Sequence, residues 1–398
     1  MNKKEIILKV EQFIRSLSVE IGPRPAASDN HQKAVALIDS EFKAAGLNTQ
    51  VLEYPCPEWH FEEVSLSDDK KNYSAIPNIY TLPCEICSEY VAAFSMEELK
   101  ELALEKKILI LGGELTKKTF IARNFDIFKE DYQEEILDFL EKNKPSAIIA
   151  ISHEEDYVMP LFEDSDFKIP SVTVSKTVGE NILNAGSSKL TLKIKSCLRE
   201  GKSGNVIAQT NQKAEEKMII CGHFDTKFFT PGAIDNATGT ATLLVLSQIL
   251  SELELKKQVE FVAFGSEDTF FPGDRTYFER EAFESEKIKL AVNIDSVIMK
   301  GEENSVIFLC EDETINQKMR TIKDNTPEIK EVPPYFEGDH AFFAMRGISV
   351  VSLSSTNVHD YIDRVIHTEN DTMEKTEPER IMEVIEFIVN LIRAFDSD

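Results

Sequence analysis

Apolar and polar positions alternate along this chain in two different periods. In the opening segment, 3–17, Glu5, Glu11 and Gln12 interrupt the apolar residues in the manner of an amphipathic helix. A second helical stretch, 30–45, is introduced by Ser28-Asp29-Asn30 and stopped by Gly46. The Gly22-Pro23-Arg24-Pro25 run between them reads as a rigid turn, and 48–54 then alternates as a strand. From Pro55 to Arg199 the texture changes to short apolar runs (107–113, 147–151, 169–175), an acidic helix over 131–144 and a strand at 190–194. Glu200-Gly201-Lys202-Ser203-Gly204 reads as the linker that closes this segment.

From Asn205 onward strands and helices alternate. Strands are expected at 205–209, 218–221, 259–264, 290–294, 306–309 and 350–353, and helices at 240–253, 274–285 and from Glu377-Pro378 to about Ala394. That rhythm predicts an α/β fold: a mixed, mostly parallel sheet flanked by helices, with an inserted smaller β-rich α/β domain. The expected boundaries are 1–54 and 200–398 for the main domain and 55–199 for the insert.

Composition narrows the function classes. The chain has 398 residues, 70 acidic against 44 basic, and a net charge of −26, so it lacks the basic face that nucleic acid or an anionic membrane would need. No apolar run reaches the length of a membrane span, and the charged opening does not resemble a signal peptide. Cys56, Cys84, Cys87, Cys197, Cys221 and Cys310 are scattered, and only Cys84 and Cys87 stand close together; reduced thiols in a cytoplasmic protein are the expectation.

The chemistry gathers at the ends of the predicted strands. His223 and Asp225 follow 218–221, Asp235 precedes the next helix, Glu267 and Asp268 follow 259–264, and Asp295 follows 290–294. His367 and Asp371 lie in a late loop. A single Asp after a strand is ordinarily a helix cap, but so many carboxylates at one sheet edge would repel one another without cations between them. Two divalent ions would use the set, with Asp235 bridging, His223 and Asp295 completing one site, and Asp268 and His367 the other. Imidazole and carboxylate without thiolate suit catalytic Zn²⁺. Glu267 is then the free carboxylate that takes a proton from water, while Asp225 and Asp371 are expected to orient the two imidazoles.

The order GHFDT, PGAIDNATG, FGSED, NID, IHTENDT resembles the co-catalytic zinc aminopeptidases of metallopeptidase family twenty-eight. Ile21-Gly22-Pro23-Arg24-Pro25 is similar to that family's opening, and Gly338-Asp339-His340-Ala341-Phe342-Phe343 to its penultimate motif. Residues 55–199 resemble a protease-associated insert. The resemblance implies two Zn²⁺ per chain on His223, Asp235, Asp268, Asp295 and His367, with Glu267 as base and peptides as substrates. It is compatible with a homo-oligomer. A single-zinc glutaminyl cyclase and an inactive binding homologue are the alternatives. Two departures stand out: Asp268 replaces a usual Glu, and Ile366 replaces a Tyr that steadies the oxyanion, for which Tyr361 is the nearby substitute. Loops around Phe228-Phe229, Phe270-Phe271 and 333–338 are expected to line the pocket for the substrate side chain.

Overall fold

The structure, a computed structural model, describes every residue except 124–130, 154–157, 211–212, 270–271 and 398, and the side chain of Asp363. The chain divides into two compact units, one made of Met1–Cys56 and Gly201–Asp398, the other of Pro57–Glu200.

In the first unit the strands Lys217–His223, Gln258–Phe264, Ile288–Ile294 and Val350–Ser355 run parallel to one another. Asn304–Leu309 pairs antiparallel with Val350–Ser355 on one side, and Val206–Gln209 pairs antiparallel with Gln258–Phe264 on the other. The mixed, mostly parallel sheet flanked by helices is therefore the one expected. Each central strand is buried along its whole length, because its two faces feed two cores. Met218, Ile220 and Phe261 enter a core with the helices Lys3–Arg15, Asp29–Ala44, Gly239–Ser251 and Ile381–Asp396. Ile219, Cys221 and Val262 enter the other, with Tyr277 and Phe278 of Pro272–Glu279 and Phe343 of His340–Ala344. Such runs carry no polar alternation, since neither face meets water.

Local signals set the helix starts. Asn2 and Glu5 form a reciprocal capping box on the first helix, and Ser28 accepts the His31 N–H at the start of the second. Gly239–Ser251 is almost wholly buried, which explains its apolar character on every side.

In the second unit Tyr90–Ala93, Ile108–Leu111, Ala147–Ile151 and Ser171–Val174 form a parallel sheet, with Lys189–Ile194 and Ile76–Pro77 antiparallel at its edges. The residues read as a linker, Glu200 to Gly204, lie instead within a single strand, Lys189–Gln209. Likewise the strand expected to stop at Tyr54 runs over Asn48–Ser67. Gly and Ser marked the place where the chain changes unit, and backbone pairing carries the strand through it. Helix 274–285 is shorter than expected, Pro272–Glu279, and the helix Glu313–Asp324, capped by Asp312, was not anticipated. Cys84 and Cys87 sit on opposite faces of the strand Cys84–Ala93, so they do not form a joint site.

Phe261 is fully buried, its ring 6.0 Å from that of Phe42. Phe261→Ala should cost about 3–5 kcal/mol of unfolding free energy in urea titration, whereas truncation of half-exposed Leu8 should stay within about 0.5 kcal/mol.

Candidate metal centre

Three neighbouring parallel strands deliver most of the site at their carboxyl ends. His223 closes Lys217–His223, Asp295 follows Ile288–Ile294, and Glu267 and Asp268 follow Gln258–Phe264. Asp235 arrives from the turn Ala233–Thr238 ahead of the buried helix. That turn is held by Asn236, whose Nδ2 donates to the Ile294 carbonyl (2.9 Å) and whose Oδ1 accepts from the N–H groups of Gly239 (2.9 Å) and Ser296 (3.2 Å). Gly239 is required there: a Cβ on it would lie 2.3 Å from the Ile294 oxygen.

The two oxygens of Asp235 face different imidazoles. Oδ1 is 2.9 Å from His223 Nε2, and Oδ2 is 3.1 Å from His367 Nε2. Asp295 Oδ1 stands 3.6 Å from His223 Nε2, and Asp268 Oδ1 stands 3.7 Å from His367 Nε2. The residues fall into the groups His223–Asp235–Asp295 and Asp235–Asp268–His367, each able to hold an ion. Glu267 comes to 4.0 Å from His223 Nε2 and forms a third group with His223 and Asp268.

These spacings fit a metal better than they fit hydrogen bonds. Two ligands about 2.1 Å from one tetrahedral ion stand roughly 3.4 Å apart, in the middle of the observed range. Neither ring nitrogen of buried His223 has a hydrogen-bond partner, and Asp268 Oδ2 is equally unpartnered. The Asp268 arm, one methylene shorter than a Glu, still reaches ligand spacing from His367. Electrostatics point the same way. Burial, reinforced by Asp235, pushes Asp268 up to about 7, and burial with Asp268, Asp339 and Asp295 drives Glu267 well above the carboxylate range despite His223. Burial disfavours the charged form of Asp235 too, but the two imidazoles outweigh it and hold that carboxylate low. A cluster that must otherwise take up protons is relieved by cations.

The surroundings correct two expectations. Asp225 does lie beside His223, 3.5 Å from Nδ1, and its Oδ1 also accepts the Glu267 N–H (3.0 Å). Asp371 does not orient an imidazole: it accepts from the backbone N–H groups of Ile234 (2.7 Å) and Asp235 (3.0 Å), so it fixes the bridging residue through its main chain. Tyr361 donates to Glu302 (3.1 Å) and is committed there rather than to an oxyanion. Of the expected pocket aromatics, Phe229 and Phe336 are exposed, while Phe270 and Phe271 lie outside the described residues.

In the sequence Arg24 belongs to a rigid turn and to the stretch that resembles the family's opening, with no role of its own. It is fully buried behind the site, and its guanidinium donates to the carbonyls of Phe224 (2.5 Å), Pro231 (2.8 Å) and Gly232 (3.0 Å), while its N–H donates to Thr226 (3.0 Å). It thereby fastens the loop between His223 and Asp235. Burial lowers it to about 10, against the pull of Asp371, Asp225, Asp235 and Asp268, so it remains a cation at neutral pH. Its flanking prolines were the available signal: they hold the backbone where one long side chain can enter the core.

With the site described, its relatives can be compared. The fold is that of solved zinc aminopeptidases: the Bacillus subtilis zinc aminopeptidase BSAP superposes with a TM-score of 0.78 at 20% identity, covering 98% of this chain and 94% of that one. Residues 205–392, a little under half of the chain, match peptidase family M28. The aminopeptidase YwaD of Bacillus subtilis is 25% identical over 307 residues, 74% of this chain, and the alignment spans 63% of that relative's length. A glutaminyl cyclase from Porphyromonas gingivalis shares the fold more distantly, with a TM-score of 0.50 at 13% identity over 99% of this chain and 98% of its own.

Arg24→Met removes the donors to these loop carbonyls and should cost about 3–5 kcal/mol in urea unfolding, together with weaker zinc binding in titration. Arg24→Lys should not rescue either, since one ammonium cannot span carbonyls placed for a guanidinium fork.

Proposed function

We propose that this chain is a metal-dependent aminopeptidase that hydrolyses the N-terminal residue of peptides, using two zinc ions and Glu267 as general base. The observation that carries this reading is the division of Asp235, one oxygen toward His223 and the other toward His367, with a further carboxylate beside each. The match of residues 205–392 to peptidase family M28 supports it independently.

The ions would be held by His223, Asp235 and Asp295 on one side and by Asp235, Asp268 and His367 on the other. When bound, they would polarise the scissile carbonyl and acidify water. The chain's own residues do the rest. Glu267, partly exposed like Asp295 and His367, accepts the proton of the attacking water and returns it to the leaving amine. Asp225 holds both partners of that step: its Oδ1 fixes the Glu267 backbone and lies beside His223 Nδ1. Asp371 and Arg24 keep Asp235 between the two imidazoles. The catalytic domain in this reading is Met1–Cys56 with Gly201–Asp398, which contains every one of these groups.

A single-zinc cyclase would employ only one group of ligands, whereas both groups are assembled here. Elemental analysis and a substrate panel separate the readings. Zinc-reconstituted protein should carry two equivalents and release N-terminal residues from short peptides. One equivalent, with cyclisation of N-terminal Gln, would favour the cyclase instead.

Glu267→Gln should retain both zinc equivalents but lose ~10²–10⁴ in kcat, because an amide cannot accept the proton. A near wild-type rate in the variant would remove Glu267 from the mechanism.

A further inference from the structure

Two carboxyl groups near the site have no part in this chemistry. Asp274 stands in the first turn of Pro272–Glu279, and Asp339 immediately precedes His340–Ala344. They are 0% and 1% exposed, and none of their four oxygens meets a donor. Each instead lies within hydrogen-bonding reach of the other. Carboxylates only accept, so this contact is repulsive unless a proton lies between them, and then it is a strong charge-assisted hydrogen bond.

Both ends of the contact are anchored to the site. Gly273, next to Asp274, donates its N–H to Ser266 Oγ (2.9 Å) and accepts from Asn205 Nδ2 (2.8 Å). Ser266 in turn directly precedes Glu267. A Cβ on Gly273 would come within 2.6 Å of Asn205 Oδ1, so this junction is closely packed. On the other side Gly338, next to Asp339, lies against Asp295: a Cβ there would be 3.7 Å from Asp295 Oδ2. His340 Nε2 meets the Tyr335 carbonyl at 2.9 Å and closes that turn.

We propose that Asp274 and Asp339 share one proton and act as a positioning pair, whose bridge ties the helix start fastened to Ser266 to the turn beside Asp295 and so fixes Glu267 relative to Asp295. The positioning role rests on Glu267 being the base; the shared proton does not. Asp274 faces Glu267, Asp225 and His223, and Asp339 faces His223 and Asp295. The Cys221 thiol also feels both carboxyl groups, and the Arg346 guanidinium feels Asp274. Burial first, then repulsion within this set, holds a proton on the pair far above the ordinary carboxylate range.

Unfolded, both groups ionise near about pH 4, so folding above that pH takes up one proton. Stability then falls as pH rises toward the folded value, by a factor of about ten in the folding equilibrium per pH unit. In Asp274→Asn the amide donates to Asp339 without taking up a proton, and this slope disappears. Urea unfolding of the zinc-loaded protein at a series of pH values between about 6 and 9 should therefore show the wild type losing about tenfold more per pH unit than Asp274→Asn. Asp339→Asn is the mirror variant and serves if the first fails to fold. Equal slopes in wild type and variant overturn the shared proton. For the positioning role, the alkaline limb of kcat/KM on an aminoacyl substrate should move upward by at least about one pH unit in Asp274→Asn. Altered slopes with an unmoved alkaline limb overturn that role. If the wild type hydrolyses no peptide, the proposed function fails, and the urea slopes still decide the shared proton.

Discussion

The centre depends on keeping several negative charges together at the edge of one sheet, and Asp235 is where that constraint is met. Its two oxygens point to two imidazoles, so one carboxylate sets the distance between the two halves of the site. A side chain asked to do this cannot be allowed to turn. Its own N–H is bound by Asp371, the next residue anchors to the Ile294 carbonyl, and the loop leading to it is fastened by Arg24. All of these partners are buried, which makes each hydrogen bond costly to break and the geometry correspondingly stiff.

The proposed ligand set could be grouped from the sequence because it follows from strand ends. Apolar runs of β-branched and aliphatic residues fix where a parallel sheet stops, and polar residues at those points have one place to go. His223, Asp235, Asp268, Asp295 and His367 could thus be grouped before any coordinates, and the structure brings them within a few ångströms of one another. The same reasoning failed where a contact depends on depth rather than on position along a strand. Arg24 looks like a solvated residue in a proline turn, and nothing local says that it crosses beneath the sheet edge. Asp371 lies four residues after His367 and was assigned to that imidazole by proximity; the backbone of Ala233–Thr238 passes closer. Composition also misled at Glu200 to Gly204, which lie within a strand although their residues favour a turn.

The buried polar groups divide by what they hold. Glu260 is satisfied by Gln209, Lys217, Tyr277 and Arg280, a closed network within the fold. His31 bonds Ser203 and stacks on Phe224 at 4.8 Å, and burial lowers it to about 4, so it is a neutral packing element at physiological pH. Many of the described buried atoms left without a partner lie around the proposed ligands and at Asp274 and Asp339, with others such as His31 Nδ1 and Asn78 Nδ2 elsewhere. Unsatisfied buried atoms are expensive, and their concentration in one place marks where the fold has been shaped for something other than its own stability.

The ligands are drawn from positions spread between His223 and His367, with none of the ion-holding groups confined to a single loop. During synthesis the group His223–Asp235–Asp295 would be complete once residue 295 has been made, whereas the group that contains His367 closes only after the late loop has been made and has docked beside Asp235. In the proposed reading, uptake of a second metal ion would signal completed assembly. A chain stalled or cut before His367 would carry the sheet and four of the five proposed ligands yet lack the imidazole of the second group, and in the proposed reading it would hold one metal ion rather than two.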